Sequence, residues 1–322
     1  MPLAEKSLIR RVRKTARSGP GVVAGIGDDC AILKIPAGHE ILVTTDLSLE
    51  GVHFRRDWQS PGVIGHRCLL RGLSDIAAMG GEPVGAFLSL GTPRDVAQSW
   101  VDGFVKGLLK LAGEFKVSLA GGDTAESPQG IVADIVVMGS APKGSAVRRS
   151  GARPGDEIYV TGQMGGAATL LKAMLAGRNL RRHESEAGFR LLPRVEVGKI
   201  LRRRRLASAM IDLSDGLSTD LAHLCEESGV GANLEAEAIP RARIKRGSEW
   251  VDLESALHGG EDYELLFTAA AGKAIPSRIA GVPVTWIGRV TRKKGIVLMD
   301  EKGRTAGLRP GGWEHFLRSS QA

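Results

Sequence analysis

The chain has 322 residues, 43% of them hydrophobic and 25% charged, with a formal charge of +8. That length suits two ordinary domains or one large one, and the composition is that of a globular protein with enough apolar residues for real cores. The longest apolar runs fall well short of the ~20 residues of a membrane span, and the start MPLAEKSLIRRVRK has no apolar leader core. The expectation is a cytoplasmic protein without a membrane partner.

In chain order, residues 3–17 place Leu3, Leu8, Ile9 and Val12 on one side of a helix. Short β-like runs follow at 30–35 and 40–45. The pair Ser60-Pro61 is an N-cap with a proline at the first helical position, predicting a helix to about Met79. Strands are expected at 85–90, 117–120 and 131–139, with a helix at 94–114. The segment 141–157 is poor in apolar residues and rich in Gly, Pro and Arg, the composition of a domain boundary. This gives a first domain over 1–140, a linker over 141–155 and a second domain over 156–322. In the second, strands are expected at 156–162, 206–213, 263–270 and 282–290, and helices at 165–177 and 215–229. Both halves mix α and β, so each is read as a sheet covered by helices, an α/β (α+β) fold.

Carboxylates recur at the ends of the β-like runs. Asp28 and Asp29 lie in GIGDDCAI, Asp46 after Thr44 and Thr45, Asp75 in LSDIAAMGG and Asp123 in AGGDTAES. Asp212 and Asp215 lie in IDLSDG, and Glu261 and Asp262 in HGGEDYELLF. Any one of these could be a helix cap or turn former. As a set they call for cations or many donors, because convergent ionised acids repel. An oxygen-rich cluster poor in histidine suits Mg²⁺, which favours carboxylates, water and substrate phosphates.

Other signals are weaker. The three cysteines, Cys30, Cys68 and Cys225, match no metal or redox spacing and are expected as buried thiols. The turn GQMGGAATLL at 162–171 could cradle phosphate, but it lacks a P-loop's Lys-Ser/Thr and is read as a simple helix start. His53 is either structural or a hydrogen-bonding partner of a substrate. The basic stretch Arg178 to Arg205 raises nucleic-acid binding as an alternative. Its interleaved Leu191, Leu192, Val195, Val197, Ile200 and Leu201 favour a solvated amphipathic helix, and no aromatic platform accompanies it.

The motifs GIGDDCAIL, TTDLSLEGVHF, LSDIAAMGGEP, AGGDTAES, RRSGARPGDEIYVTG, IDLSDGLSTDLAHL and HGGEDYELLF occur in this order. Together they resemble the thiamine-monophosphate kinase family, of the aminoimidazole-ribonucleotide-synthetase-like superfamily, over nearly the whole chain. The resemblance implies ATP- and Mg²⁺-dependent phosphorylation of thiamine monophosphate to thiamine diphosphate, with no nucleic-acid partner. It implies a homodimer whose N-terminal mixed sheets and helices form a shared barrel, each chain adding a C-terminal α/β layered domain. By the same resemblance, Asp29, Asp46, Asp75, Asp123, Asp212 and Asp215 are magnesium ligands, supported by Thr44 and Thr45. Gly122, Asp123, Arg149 and Ser214 contact ATP, and His53, Glu261 and Trp313 contact thiamine monophosphate. No catalytic base is expected, because the attacking phosphate oxygen is already anionic. Asp220 is set aside as a solvent-facing or structural acid.

Two positions depart from the family pattern: Leu47-Ser48 stands where Thr-Leu is frequent, and Ala125-Glu126 where Thr-Arg is common. Another superfamily enzyme acting on a different phosphorylated substrate remains the alternative. Selenophosphate synthetase and a hydrogenase-maturation relative are disfavoured, since no cysteine precedes Cys30 and the chain ends in SSQA.

Overall fold

A computed structural model describes residues 5–16, 19, 21–27, 29–177, 188–243, 251–314 and 316. Asp28, the first part of the basic stretch (178–187) and the terminal SSQA lie outside the described residues. The chain forms two compact units. One comprises Met1–Ala77, Gly81–Ala146 and Asn179–Val195, the other Ala78–Gly80, Val147–Arg178 and Glu196–Ala322.

The first unit opens with α1 (Glu5–Thr15), then the two-stranded ladder β1 (Val22–Ala24) and β2 (Ile32–Leu33). The run expected at 30–35 is therefore mostly loop, and Cys30 is exposed rather than buried. The main sheet has four strands, β3 (His39–Leu49), β4 (Glu82–Thr92), β5 (Ser118–Glu126) and β6 (Val132–Pro142), in the order β3-β6-β4-β5. Only β4 and β5 run parallel, joined through helix α3 (Gln98–Glu114), so the sheet is mixed.

Helix α2 (Pro61–Ala78) begins at the expected proline and buries Ile64, Leu69, Leu70 and Leu73. It crosses α3 where neither helix has a side chain: a Cβ on Gly65 would lie 1.9 Å from the Phe104 carbonyl oxygen, and one on Gly107 1.9 Å from that of Gly62. On β3, alternation sends Leu42 and Ser48 inward and leaves Ile41, Val43 and Leu47 from 51% to 62% exposed. One face of this sheet thus keeps an open apolar patch.

The second unit is built on an eight-stranded sheet. Its main path is β14-β13-β9-β12-β7-β10-β8, with β11 paired to β12. These strands are β7 (Glu157–Thr161), β8 (Ala209–Asp212), β9 (Gly231–Glu235), β10 (Leu265–Ala269), β11 (Arg278–Ile279), β12 (Val282–Thr291), β13 (Gly295–Met299) and β14 (Thr305–Leu308). All pairs are antiparallel except β13 with β9. Helices α4 (Gly166–Leu175), α5 (Val195–Arg203), α6 (Leu217–Ser228) and α7 (Leu253–His258) accompany it. Leu217, Leu221 and Leu224 of α6 join Ile158, Val160, Ile211 and Leu266 in one core.

Strand β8 is shorter than the expected 206–213, because α5 runs to Arg203 and Arg205 then takes a φ of 53°. Within the basic stretch, Val195, Val197 and Leu201 are buried as its apolar spacing requires. Arg202 is buried too, and its Nε donates to the Gly80 carbonyl at 2.6 Å, so it is a structural cation rather than part of a solvated face. Among the described residues no helix is long and apolar enough to cross a membrane.

Candidate active site

The expected site residues fall into two groups, one in each unit. In the first unit, β3 carries Thr44, Thr45 and Asp46, and pleating turns them alternately to opposite faces. Thr44 hydrogen-bonds the carboxylate of Asp75 on α2. Asp46 lies beside Asp75, with its Oδ2 atom buried and without a hydrogen-bond partner. Burial first, then the charge of Asp75, pushes its carboxyl up to about 7, with Arg71 opposing. A half-buried acid with one oxygen unpaired that faces a second acid is stabilised by a cation. This oxygen-only donor set fits a hard dication such as Mg²⁺.

Thr45 belongs to the other face, where its hydroxyl donates to Asp134 Oδ1 at 2.7 Å. Register places Leu47, Asp134, Ser89 and Asp123 in one row across the four strands. Asp134 was not singled out from the sequence. The signal was an acid in the middle of the apolar run IVADIVVMG.

Asp123 is exposed, and its Oδ1 accepts from the Thr124 N–H at 2.8 Å. With Asp29 and Gly122 it lines a cavity of about 630 Å³, whose apolar wall includes Leu8, Ile9 and Val12 of α1. Gly122 has φ 148°, and a Cβ there would sit 1.9 Å from the Leu88 carbonyl oxygen, so only glycine lets β5 close on β4. Neither Asp46 nor Asp75 is among the residues lining this cavity. His53 follows β3, and its Nδ1 accepts from the Leu49 N–H at 3.0 Å, which puts the proton of the neutral ring on Nε2.

In the second unit, Asp212 ends β8, and the turn Leu213–Gly216 leads into α6. Backbone bonds grip this turn. The Glu261 N–H donates to the Ser214 carbonyl at 2.7 Å and the Tyr263 N–H to that of Leu213 at 2.8 Å. The Trp313 N–H donates to the Asp215 carbonyl at 3.1 Å. Glu261 and Tyr263 take φ values of 68° and 51°, backbone conformations that the surrounding pairing must sustain. Thus Asp212, Ser214, Asp215, Glu261 and Trp313 are brought together around the end of β8. Arg149 is exposed in the segment beside that edge strand, where the Met210 N–H donates to the Arg148 carbonyl at 3.1 Å.

Of the two readings of Asp220, the structural one holds: at 2% exposure it does not face solvent. Its Oδ2 accepts from the N–H groups of Asp215 at 3.1 Å and Gly216 at 3.0 Å, an internal cap that fixes the acid-bearing loop. Burial, followed by the charges of Asp212 and Asp215, raises its carboxyl to about 8. Asp262 is another structural acid. Both its oxygens accept from the Gly165 N–H, at 3.0 and 2.9 Å, so the protein's own carboxylate occupies the start of α4 and the turn at 162–171 is a helix start.

The family models described as AIR synthase related protein, N-terminal domain and C-terminal domain match residues 27–146 and 153–301. The thiamine-monophosphate kinase of Salmonella typhimurium is 39% identical, over 90% of this chain and 91% of its own. The crystal structure of thiamine-monophosphate kinase from Stenotrophomonas maltophilia K279a is 35% identical, with a TM-score of 0.81, covering 95% of this chain and 99% of that one. The structure of AaThiL complexed with AMPPCP and TMP is 30% identical, with a TM-score of 0.76, covering 97% and 96%. The chain belongs to the thiamine-monophosphate kinases, within the AIR synthase related family.

Proposed function

We infer that the protein transfers the γ-phosphoryl group of ATP to thiamine monophosphate, giving thiamine diphosphate and ADP. The observation that carries this reading is the likeness to thiamine-monophosphate kinases over nine-tenths of the chain. A phosphate oxygen of thiamine monophosphate bonds to the γ-phosphorus as the bond to the bridging oxygen of ADP breaks. The attacking oxygen is anionic at neutral pH, so no side chain need remove a proton. Positioning and charge compensation are the remaining tasks of the protein.

Asp46 and Asp75 with Thr44, Asp29 and Asp123, and Asp212 and Asp215 would hold Mg²⁺, with Thr45 in support. Bound there, Mg²⁺ supplies screening between two phosphate anions and stabilises charge on the transferring group. Gly122, Asp123, Arg149 and Ser214 would contact ATP, and Arg149 suits a phosphate because its guanidinium offers paired donors. His53, Glu261 and Trp313 would receive thiamine monophosphate. The half-exposed Trp313 ring can stack on the cationic thiazolium, and the Glu261 carboxylate complements its charge.

The open face bearing Ile41, Val43 and Leu47 supports a homodimer in which two such sheets close a barrel. Sedimentation that finds only monomer at micromolar concentration would remove that part. Residues 141–155 then serve as the linker between domains, and the protein works in the cytoplasm.

Incubating the purified protein with ATP, Mg²⁺ and thiamine monophosphate should yield thiamine diphosphate and ADP. An inert mixture, with turnover of another phosphorylated acceptor, would assign a different substrate within the superfamily.

A further inference from the structure

We propose that Ser218 and Thr219 are positioning residues for the acceptor substrate, because they dock the segment 310–313 onto the acid-bearing turn and so set Trp313. The proposal rests on the reading of Trp313 as a thiamine-monophosphate contact. After β14 the chain leaves regular structure, yet three successive backbone N–H groups are all anchored on one short stretch. The Gly311 N–H donates to Ser218 Oγ at 3.2 Å and the Gly312 N–H to Thr219 Oγ1 at 3.1 Å. The Trp313 N–H donates to the Asp215 carbonyl at 3.1 Å.

Both hydroxyls are buried, on the first turn of α6. That of Ser218 also lies 2.8 Å from His258 Nδ1. With Nδ1 as acceptor, Ser218 donates to the ring and keeps its lone pairs for the strap.

The fit leaves no room for a side chain at either glycine of the strap. A Cβ on Gly311 would meet His258 Nδ1 at 2.6 Å, and one on Gly312 would meet the Asp215 carbonyl oxygen at 2.0 Å. The backbone of the strap therefore touches the residue proposed as a metal ligand, while the next side chain, Trp313, stays 53% exposed. A terminal segment that merely covered the core would bury its large aromatic. This one ties its backbone to the turn and presents the ring. The same turn thus fixes a metal-binding carboxylate and the platform for the acceptor.

The test is the steady-state kinetics of Thr219→Val, Ser218→Ala and Gly312→Ala, with Thr219→Ser as the conservative control. In the first three, KM for thiamine monophosphate should rise about tenfold or more, as one lost placement contact predicts. KM for ATP should stay within about twofold, and Thr219→Ser should keep the wild-type value. Unchanged acceptor KM in folded variants overturns the proposal, as does an equal rise in both KM values. Those outcomes, with the wild type active, sink the strap alone. A wild type that does not turn over thiamine monophosphate sinks the functional reading and the strap together.

Discussion

The acids of the two units are treated differently by the protein around them. In the four-stranded unit, Asp46 has a buried oxygen without a donor and Asp75 as its neighbour, and its carboxyl is driven up to about 7. In the eight-stranded unit, Asp220 and Asp262 are buried more deeply, yet Asp220 accepts two backbone N–H groups and Asp262 accepts one with both its oxygens. Glu264 likewise accepts the Thr161 hydroxyl at 2.6 Å. Burial alone therefore does not identify a ligand. A carboxylate supplied with donors holds the fold together, while one left facing another carboxylate is stabilised by a cation.

The sharpest way to break this contrast is to neutralise the pair of facing acids, Asp46 and Asp75. Asp75→Asn or Asp46→Asn should lower kcat/KM by about 10²-fold or more, the scale of losing an electrostatic element of a preorganised site. Without Mg²⁺ the same variants should melt at or above the wild-type temperature, since a repulsion has been removed. Added Mg²⁺ should stabilise the wild type and shift the variants less, because a ligand that binds only the folded state raises its stability. Variants that melt lower and respond fully to Mg²⁺ would place Asp46 and Asp75 among the structural acids.

A smaller effect is expected on the other side of the comparison. Asp220→Ala leaves the Asp215 and Gly216 N–H groups without their acceptor and should cost about 1–3 kcal/mol of stability. Asp220→Asn retains an acceptor oxygen and should unfold close to the wild type. Denaturant unfolding of both variants decides it: equal losses would mean that Asp220 acts through its charge and not as a cap.

What the sequence disclosed follows the same division. Asp212 stands out because it ends an apolar run, Asp215 because it precedes a glycine turn, Asp46 and Asp75 because each is an acid among the apolar residues of β3 or α2, and Ser60-Pro61 announces a helix through local chemistry. Asp220 was readable in principle, since its donors lie only four and five positions earlier and a side chain on the first turns of a helix can reach back. Asp134 was visible as an acid within an apolar run, but its partner was not, because Thr45 is 89 positions away and meets it only when β3 pairs with β6. Arg202 is a similar case: a run of four arginines reads as surface charge, and only the folded chain shows a carbonyl waiting for one of them. Cys30 misled in the other direction, since its apolar neighbours flank a two-residue strand too short to bury it.

The smallest predicted effect extends the rule from acids to a base. His66 on α2 is buried, and its Nε2 donates to the Leu191 carbonyl at 2.6 Å. Burial lowers its pKa first. Arg190 and Lys110 act in the same direction, while the Leu191 carbonyl and Glu114 oppose. The folded state then binds fewer protons at this ring than the unfolded chain, whose histidine titrates near ~6.5. Stability is fully present above that value and falls as pH drops through it toward the lower folded pKa. His66→Gln keeps a donor for the carbonyl but cannot be charged, so its unfolding free energy should depend less on pH below ~6.5 than that of the wild type. Parallel pH profiles for the two proteins would show that the imidazolium is accommodated in the folded unit, with the Leu191 carbonyl as its acceptor.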